Sequence, residues 1–306
     1  MQPLAQFLTR TYGFSIADFS AAPRGLVAET FFVTTTDRQR LFVKVIEAPL
    51  FKAHLRHSAA AHVYLAHQLG DRINHPVPAA DGTIVTAYGS ALVAVSTCID
   101  APAADGYDTY TFGQFIGQLH RLQPPPAVPI RKIGVFAHVA LLDTLATYAF
   151  TGTGPHAHVR ALAPVLAPWR ATYDHYRARL AFFTHRQKNR PPQPLVVTHG
   201  DAGGNVLARS ATDLYVIDWD YVGYAEPERD LWVFEHDPAF IAGYQSQIPS
   251  YRPNEERLQY AAYRQFFDYF TYILDTFTRI PPRHDSSAAT ANLLSLFTDW
   301  CPPHLR

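Results

Sequence analysis

The chain has 306 residues, 48% of them hydrophobic, enough for one large packed core or two smaller ones. Lys plus Arg total 26 and Asp plus Glu total 26, and this zero formal charge argues against a broad surface that tracks nucleic-acid phosphates. The two cysteines, Cys98 and Cys301, are too few for a disulfide framework or a cysteine-rich zinc site.

The opening stretch MQPLAQFLTRTYGF lacks a signal-peptide pattern, and no apolar run reaches bilayer-spanning length, so a cytoplasmic protein without membrane contact is expected. Residues 3–12 have the spacing of a short amphipathic helix. From Gly25 the texture changes to LVAETFFVTTTDRQRLFVKVI. Two β-branched and aromatic runs flank the polar turn Thr36–Arg40, which predicts a hairpin. Leu50–Leu69 reads as a helix with Leu55, Ala59, His62, Leu65 and Leu69 near one face. Its histidines His54, His57, His62 and His67 lack nearby cysteine or carboxylate partners, so they read as solvated side chains rather than a metal face. TIVTAYGSALVAVSTCI predicts a second hairpin turning at Tyr88-Gly89-Ser90. The proline of DAPAADG then marks a break, and a lobe boundary is placed there: residues 1–98 mainly β, residues 99–306 mainly helical.

In the second half, Tyr110–Leu122 predicts a helix stopped by QPPPAVP. Gly113 and Gly117 on it read as a close-packing pair. Residues 137–150 and 160–183 predict two more helices, and THRQKNRPPQP predicts a loop. Residues 255–279 and 285–298 close the chain as helices.

The chemistry gathers between them, in VVTHGDAGGNVLARSATDLYVIDWD, residues 196–220. A short apolar strand breaks at His199-Gly200-Asp201, passes two glycines to Asn205 and returns through a second strand to Asp218. An ordinary hairpin turn needs none of these polar groups. Acids gathered at strand ends suit a metal-ion site. Phosphoryl transfer from a nucleotide needs a carboxylate that positions the attacking hydroxyl, an amide oxygen and a second carboxylate that hold Mg²⁺, and a strand lysine on the phosphates. Asp201 suits the first role, and Asn205 with Asp218 the second. Lys44, one of only four lysines, sits inside the apolar strand LFVKVI, where it must leave the core side or find an anion. Taken singly, HGD also reads as a strand-ending turn and IDWD as a half-buried strand. Their joint order with Lys44 favours a site.

These segments resemble the catalytic and metal-binding segments of the aminoglycoside phosphotransferases and related small-molecule kinases. The likeness rests on LFVKV, GQFIGQLHRL, THGDAGGNVL, VIDWD and EPERDLW, and PERDLW is most similar to the spectinomycin phosphotransferase branch. It implies an α+β, two-lobed protein-kinase-like fold, with a small β-rich lobe and a larger helical lobe. It implies ATP or GTP as donor, Mg²⁺, and a hydroxyl of a small molecule as acceptor. By this likeness Asp201 is the base, His199 orients its loop, Asn205 and Asp218 bind the metal, and Lys44 binds phosphate. Gly25 is the phosphate-covering turn, and Ser96 and Cys98 lie at the hinge that holds the base.

Two departures stand out. The family pattern HxDxxxxN places four residues between aspartate and asparagine, but here only Ala202, Gly203 and Gly204 intervene. The expectation is that Gly203-Gly204 adopt unusual backbone conformations and re-aim Asn205. The lysine's usual helix glutamate is replaced by His62, which leaves Glu29 or Glu47 as candidate partners. These departures motivate a second reading, a catalytically weak nucleotide-binding regulatory protein. Beyond Asp218, aromatics such as Trp219, Trp232, Tyr263, Phe266 and Phe267 are dense and acids sparse. That suits an amine of low charge, a nucleoside-like ring or a sugar, unless the aromatics are core.

Overall fold

The computed structural model describes residues 2–22, 28–104, 106–280 and 284–305. Gly25 therefore lies outside the described residues. The chain divides into two compact units, one of residues 1–132, 195–225 and 237–250, the other of residues 133–194, 226–236 and 251–306.

The first unit is built on an antiparallel sheet. Its strands are β1 (Ile16–Ala21), β2 (Glu29–Thr35), β3 (Arg40–Ile46), β4 (Val85–Tyr88) and β5 (Ala91–Thr97), in the order β1-β2-β3-β5-β4. Both expected hairpins are present, and β1 is an additional strand. Strand periodicity explains where Lys44 goes. Leu41, Val43 and Val45 of β3 are buried in one cluster with Leu4, Leu8 and Tyr12 of helix α1 (Gln2–Tyr12). Lys44 alternates to the opposite face, between Thr30 of β2 and Ala94 of β5.

Helix α2 (Pro49–Leu69) follows, with Pro49 in its first turn, where the missing N–H costs nothing. Helix α3 (Thr109–Arg121) starts at Asp108, whose side chain accepts the Thr111 N–H at 3.0 Å. A Cβ on Gly113 would lie 2.2 Å from the Phe240 carbonyl oxygen, so only glycine permits this approach, as the close-packing reading expects. The strands around the HGD and IDWD segments form two separate ladders. β6 (Val196–Thr198) pairs with β9 (Gly223–Ala225), and β7 (Val206–Ala208) pairs with β8 (Leu214–Val216).

The second unit is helical. It contains α4 (Val139–Thr151), α5 (Ala157–Arg160), α6 (Ala163–Leu166), α7 (Arg170–Asn189), α8 (Glu228–Leu231), α10 (Glu255–Phe277) and α11 (Ser287–Ser295); α9 (Pro238–Gln247) belongs to the first unit. The single helix expected over 160–183 is broken. Pro164 and Pro168 each start a new short helical segment, and α7 then runs through THRQKN. Asn254 caps α10 by accepting the Arg257 N–H at 3.1 Å, and Glu255 and Glu256 sit in its first turn, where the helix dipole favours acids. Tyr263, Phe266, Phe267 and Phe270 are fully buried, so this aromatic stretch is core rather than pocket lining. Among the described residues, no helix is long and apolar enough to cross a membrane.

Candidate active site

Every candidate polar residue of the HGD and IDWD segments lies in the first unit, as does Lys44. After β6 the backbone turns sharply at Gly200, whose φ of 89° lies in the left-handed region that favours glycine. His199 just before it is fully buried. Its Nε2–H donates to the Ile217 carbonyl at 2.9 Å, and its Nδ1 accepts the Asp201 N–H at 3.2 Å. The two bonds place the ring N–H on Nε2 and the accepting nitrogen at Nδ1. The ring also meets Trp219 edge-on at 4.5 Å. His199 thus ties the HGD turn to the strand that leads into IDWD.

Asp201 begins a 3-10 turn over Ala202–Gly204. Asn205 closes it. Its Nδ2 donates to the Asp201 carbonyl at 2.6 Å, its backbone N–H to Ala202 at 3.2 Å, and its carbonyl accepts from Ile217 at 3.0 Å. With the amide nitrogen bound to the loop, the side-chain oxygen is the end suited to a cation. The tight 3-10 turn absorbs the missing residue. Contrary to expectation, neither Gly203 nor Gly204 has a positive φ, and a Cβ on Gly204 would meet nothing within 4 Å. The backbone freedom of glycine is used at Gly200 instead.

The IDWD segment carries both charge and strain. Asp218 has φ 66° and ψ 62°, a left-handed conformation that costs a non-glycine residue about 1–3 kcal/mol. Lys44 Nζ donates to Asp218 Oδ1 at 2.7 Å and to Asp220 Oδ2 at 2.9 Å. Neither Glu29 nor Glu47 fills that role; both are exposed, and Glu47 accepts from Ser90. Burial raises the Asp218 carboxyl, but the Lys44 ammonium outweighs it and holds Asp218 below the usual carboxylate range. Burial also acts on Asp220, and with Asp218 beside it the net displacement there is upward despite Lys44. The two carboxylates raise Lys44 against the opposing effect of burial. Sequence reasoning missed Asp220, although its spacing of two from Asp218 in IDWD was the available signal.

His62 departs from the solvated reading. Its Nε2–H donates to the Asn74 carbonyl at 2.8 Å, and its ring stacks on Trp219 at 6.2 Å. Burial pushes it down to about 4, and the positive charge of Lys44 acts in the same direction. His54 packs on Tyr221 at 4.9 Å, whereas His57 and His67 are exposed. Ser96 is buried in β5, paired with Phe42, and Cys98 is half-buried just beyond it. The Cys98 N–H already donates to the Arg40 carbonyl at 2.9 Å.

The groups that meet Lys44 are carboxylate oxygens, the chemistry of a hard cation such as Mg²⁺. Among the described residues, no group of three or more His, Cys, Asp or Glu side chains is gathered to hold a metal by itself.

Comparison with known proteins bears on the fold and the family. The chain resembles the solved spectinomycin phosphotransferase APH(9)-Ia in complex with ADP and spectinomycin, at 16% identity and TM-score 0.73, covering 97% of this chain and 94% of that one. It resembles the amicoumacin kinase hAmiN in complex with AMP-PNP, Ca²⁺ and Ami at 12% identity and TM-score 0.63, covering 96% and 91%. It also resembles choline kinase LicA from Streptococcus pneumoniae at 14% identity and TM-score 0.59, covering 96% and 98%. At these identities the likeness establishes the α+β, protein-kinase-like fold. A search of the curated proteins gives no match. The model of the phosphotransferase enzyme family matches residues 18–265, and the chain belongs to that family.

Proposed function

We propose that the protein is an ATP- or GTP-dependent O-phosphotransferase that moves the γ-phosphoryl group to a hydroxyl of a small molecule. The observation that carries this reading is the meeting of Lys44 with Asp218 and Asp220 in the unit that also holds the His199–Asn205 loop. In this reading residues 1–98 form the nucleotide lobe, and residues 99–306 carry the catalytic loop and the acceptor pocket.

Each group has a role. Asp201 accepts the proton of the acceptor hydroxyl as its oxygen bonds to the γ-phosphorus and the bond to the β-phosphate oxygen breaks, releasing the nucleoside diphosphate. His199 and Asn205 hold the Asp201 backbone from both sides. Asn205 and Asp218 would hold Mg²⁺, which when bound supplies positive charge for the phosphate oxygens. Lys44 supplies a further positive charge to the phosphates. Ser96 and Cys98 would line the base, Cys98 through groups other than its engaged amide, and Gly25 would cover the phosphates.

The test is a phosphotransfer screen with Mg-ATP and Mg-GTP against aminoglycosides, spectinomycin, macrolides, choline and common sugars. Phosphorylation of one acceptor by the parent protein, lost in Asp201→Ala, supports the reading. A second reading, a catalytically weak nucleotide-binding regulator, draws on the full engagement of Lys44 by two carboxylates. Nucleotide binding without transfer to any acceptor and without hydrolysis would select it.

A further inference from the structure

We propose that Asp220 is the permanent anchor of Lys44, and that Asp218 is the exchangeable partner that leaves the lysine for the metal. This assigns Asp220 a positioning role in phosphoryl transfer, and it rests on the phosphotransferase reading above.

Four observations carry the division of labour. Helix α2 has no acid anywhere in Pro49–Leu69, so no carboxylate from it can hold the lysine. Lys44 instead contacts two carboxylates, at 2.7 Å and 2.9 Å. The two differ in exposure: the Asp218 side chain is 37% exposed and that of Asp220 is 16%, close to the 14% of Lys44. They also differ in backbone. Asp218 stands in a left-handed conformation just before the 3-10 turn Trp219–Tyr221, whereas Asp220 lies inside that turn.

The physical argument follows from that difference. A lysine stem on a strand has four rotatable bonds, and its charge is useful to a phosphate only if it is held. A cation that recruits Asp218 removes one of its two counter-charges. If both left, a nearly buried ammonium would stand unpaired, which is strongly unfavourable. The more exposed carboxylate is the one a hydrated cation reaches with the least loss of solvation. The more buried carboxylate stays with the lysine. The ring of His62, donating to Asn74, supplies no negative charge to that face.

The experiment uses the full chain and reads binding as well as turnover. AMP-PNP affinity is measured by calorimetry for a double-mutant cycle of Lys44→Met with Asp220→Asn, and for a parallel cycle with Asp218→Asn. In the parent, Lys44→Met weakens Mg-AMP-PNP binding about tenfold, as expected for loss of one charged phosphate contact. In the Asp220→Asn background the same change costs less than about twofold, because the lysine is no longer held. In the Asp218→Asn background it keeps its full cost. Mn²⁺ affinity of the AMP-PNP complex falls more than about thirtyfold in Asp218→Asn and less than about threefold in Asp220→Asn. Adding His62→Glu to Asp220→Asn, which returns a carboxylate to α2, restores the cost of Lys44→Met.

Equal costs of Lys44→Met in all backgrounds, or loss of Mn²⁺ affinity in Asp220→Asn matching that in Asp218→Asn, overturns the proposal. Asp220→Ser is run beside Asp220→Asn, with melting curves, so that a folding failure in one leaves the cycle readable. Absence of turnover in the parent would count against the phosphotransferase reading alone, since the binding cycle does not depend on an acceptor.

Discussion

The two loops of the candidate site are held by different forces. The loop from His199 to Asn205 carries short-range hydrogen bonds to backbone groups: His199 to Asp201 and Ile217, Asn205 to Asp201 and Ala202. The segment from Asp218 to Asp220 is fixed by charge, through Lys44, and holds a left-handed aspartate. Hydrogen bonds to backbone groups inside one loop respond little to an arriving cation or polyphosphate. An ion pair shared by three groups responds strongly. The contrast assigns the first loop to fixed geometry and the second to ligand response.

The sharpest way to break the comparison is to remove the group that the first loop presents. Asp201→Ala is expected to lower phosphotransfer about 10³-fold, the scale of a general base, while nucleotide affinity stays within about twofold. Steady-state rates and calorimetry on the same preparation decide it. Near-normal turnover would leave the fixed loop without a chemical purpose. Next in size, Asp218→Asn should raise the Mg²⁺ concentration for half-maximal rate about 10–100-fold, because a carboxylate becomes a neutral amide. A Mg²⁺ titration of turnover reads this directly. An unchanged midpoint would make the second segment structural and erase the distinction between the loops.

Much of this is legible in the chain, and the exceptions have physical causes. The hairpins of β2–β3 and β4–β5 announce themselves because their strands are rich in β-branched and aromatic residues, burial alternates along most of β3, and the turns carry polar or glycine residues. β1 does not, because its burial pattern is not alternating and four of its six residues are exposed. A single helix over 160–183 is too long a reading because the apolar spacing continues across Pro164 and Pro168, which break the hydrogen bonds but not the pattern. Asp201, Asn205, Asp218 and Lys44 stand out as residues. The partner of Lys44 does not, since 176 positions separate it from Asp220 and only the fold brings them together. Asp220 looks like a strand-ending acid in sequence and is half of an ion-pair cluster in space.

The surroundings of Lys44 should also respond to pH, through His62 of α2. His62 ionises at about 4 in the folded chain, below the value of about 6.5 in an unfolded one. The unfolded state therefore binds more protons between these values. Stability is complete above about 6.5 and falls as pH drops through that range toward 4. Unfolding free energies from denaturant titrations at pH 7.5 and pH 5 should differ by up to about 2 kcal/mol from this group. His62→Gln should flatten that part of the profile. An equal slope in both proteins would show that His62 does not feel Lys44 and the desolvation beside it.

The smallest effect separates the two kinds of glycine in the first loop. Gly200 has a φ of 89°, so Gly200→Ala forces an L side chain into the left-handed region at about 1–2 kcal/mol, with the His199 and Asp201 contacts at risk. Gly204 lies in the 3-10 turn without a positive φ, and the space that a Cβ there would occupy is open. Gly204→Ala should therefore change stability by less than about 0.5 kcal/mol, and any change should lean toward stabilisation because alanine restricts the unfolded chain. Melting curves and Mg²⁺ titrations of the two variants check this together. Parent-like behaviour of Gly204→Ala would show that the shortened loop is closed by its 3-10 hydrogen bond and the Asn205–Asp201 contact. A loss as large as that of Gly200→Ala would mean that the loop must move during turnover into a conformation only glycine allows, and the fixed loop would then belong with the responsive one.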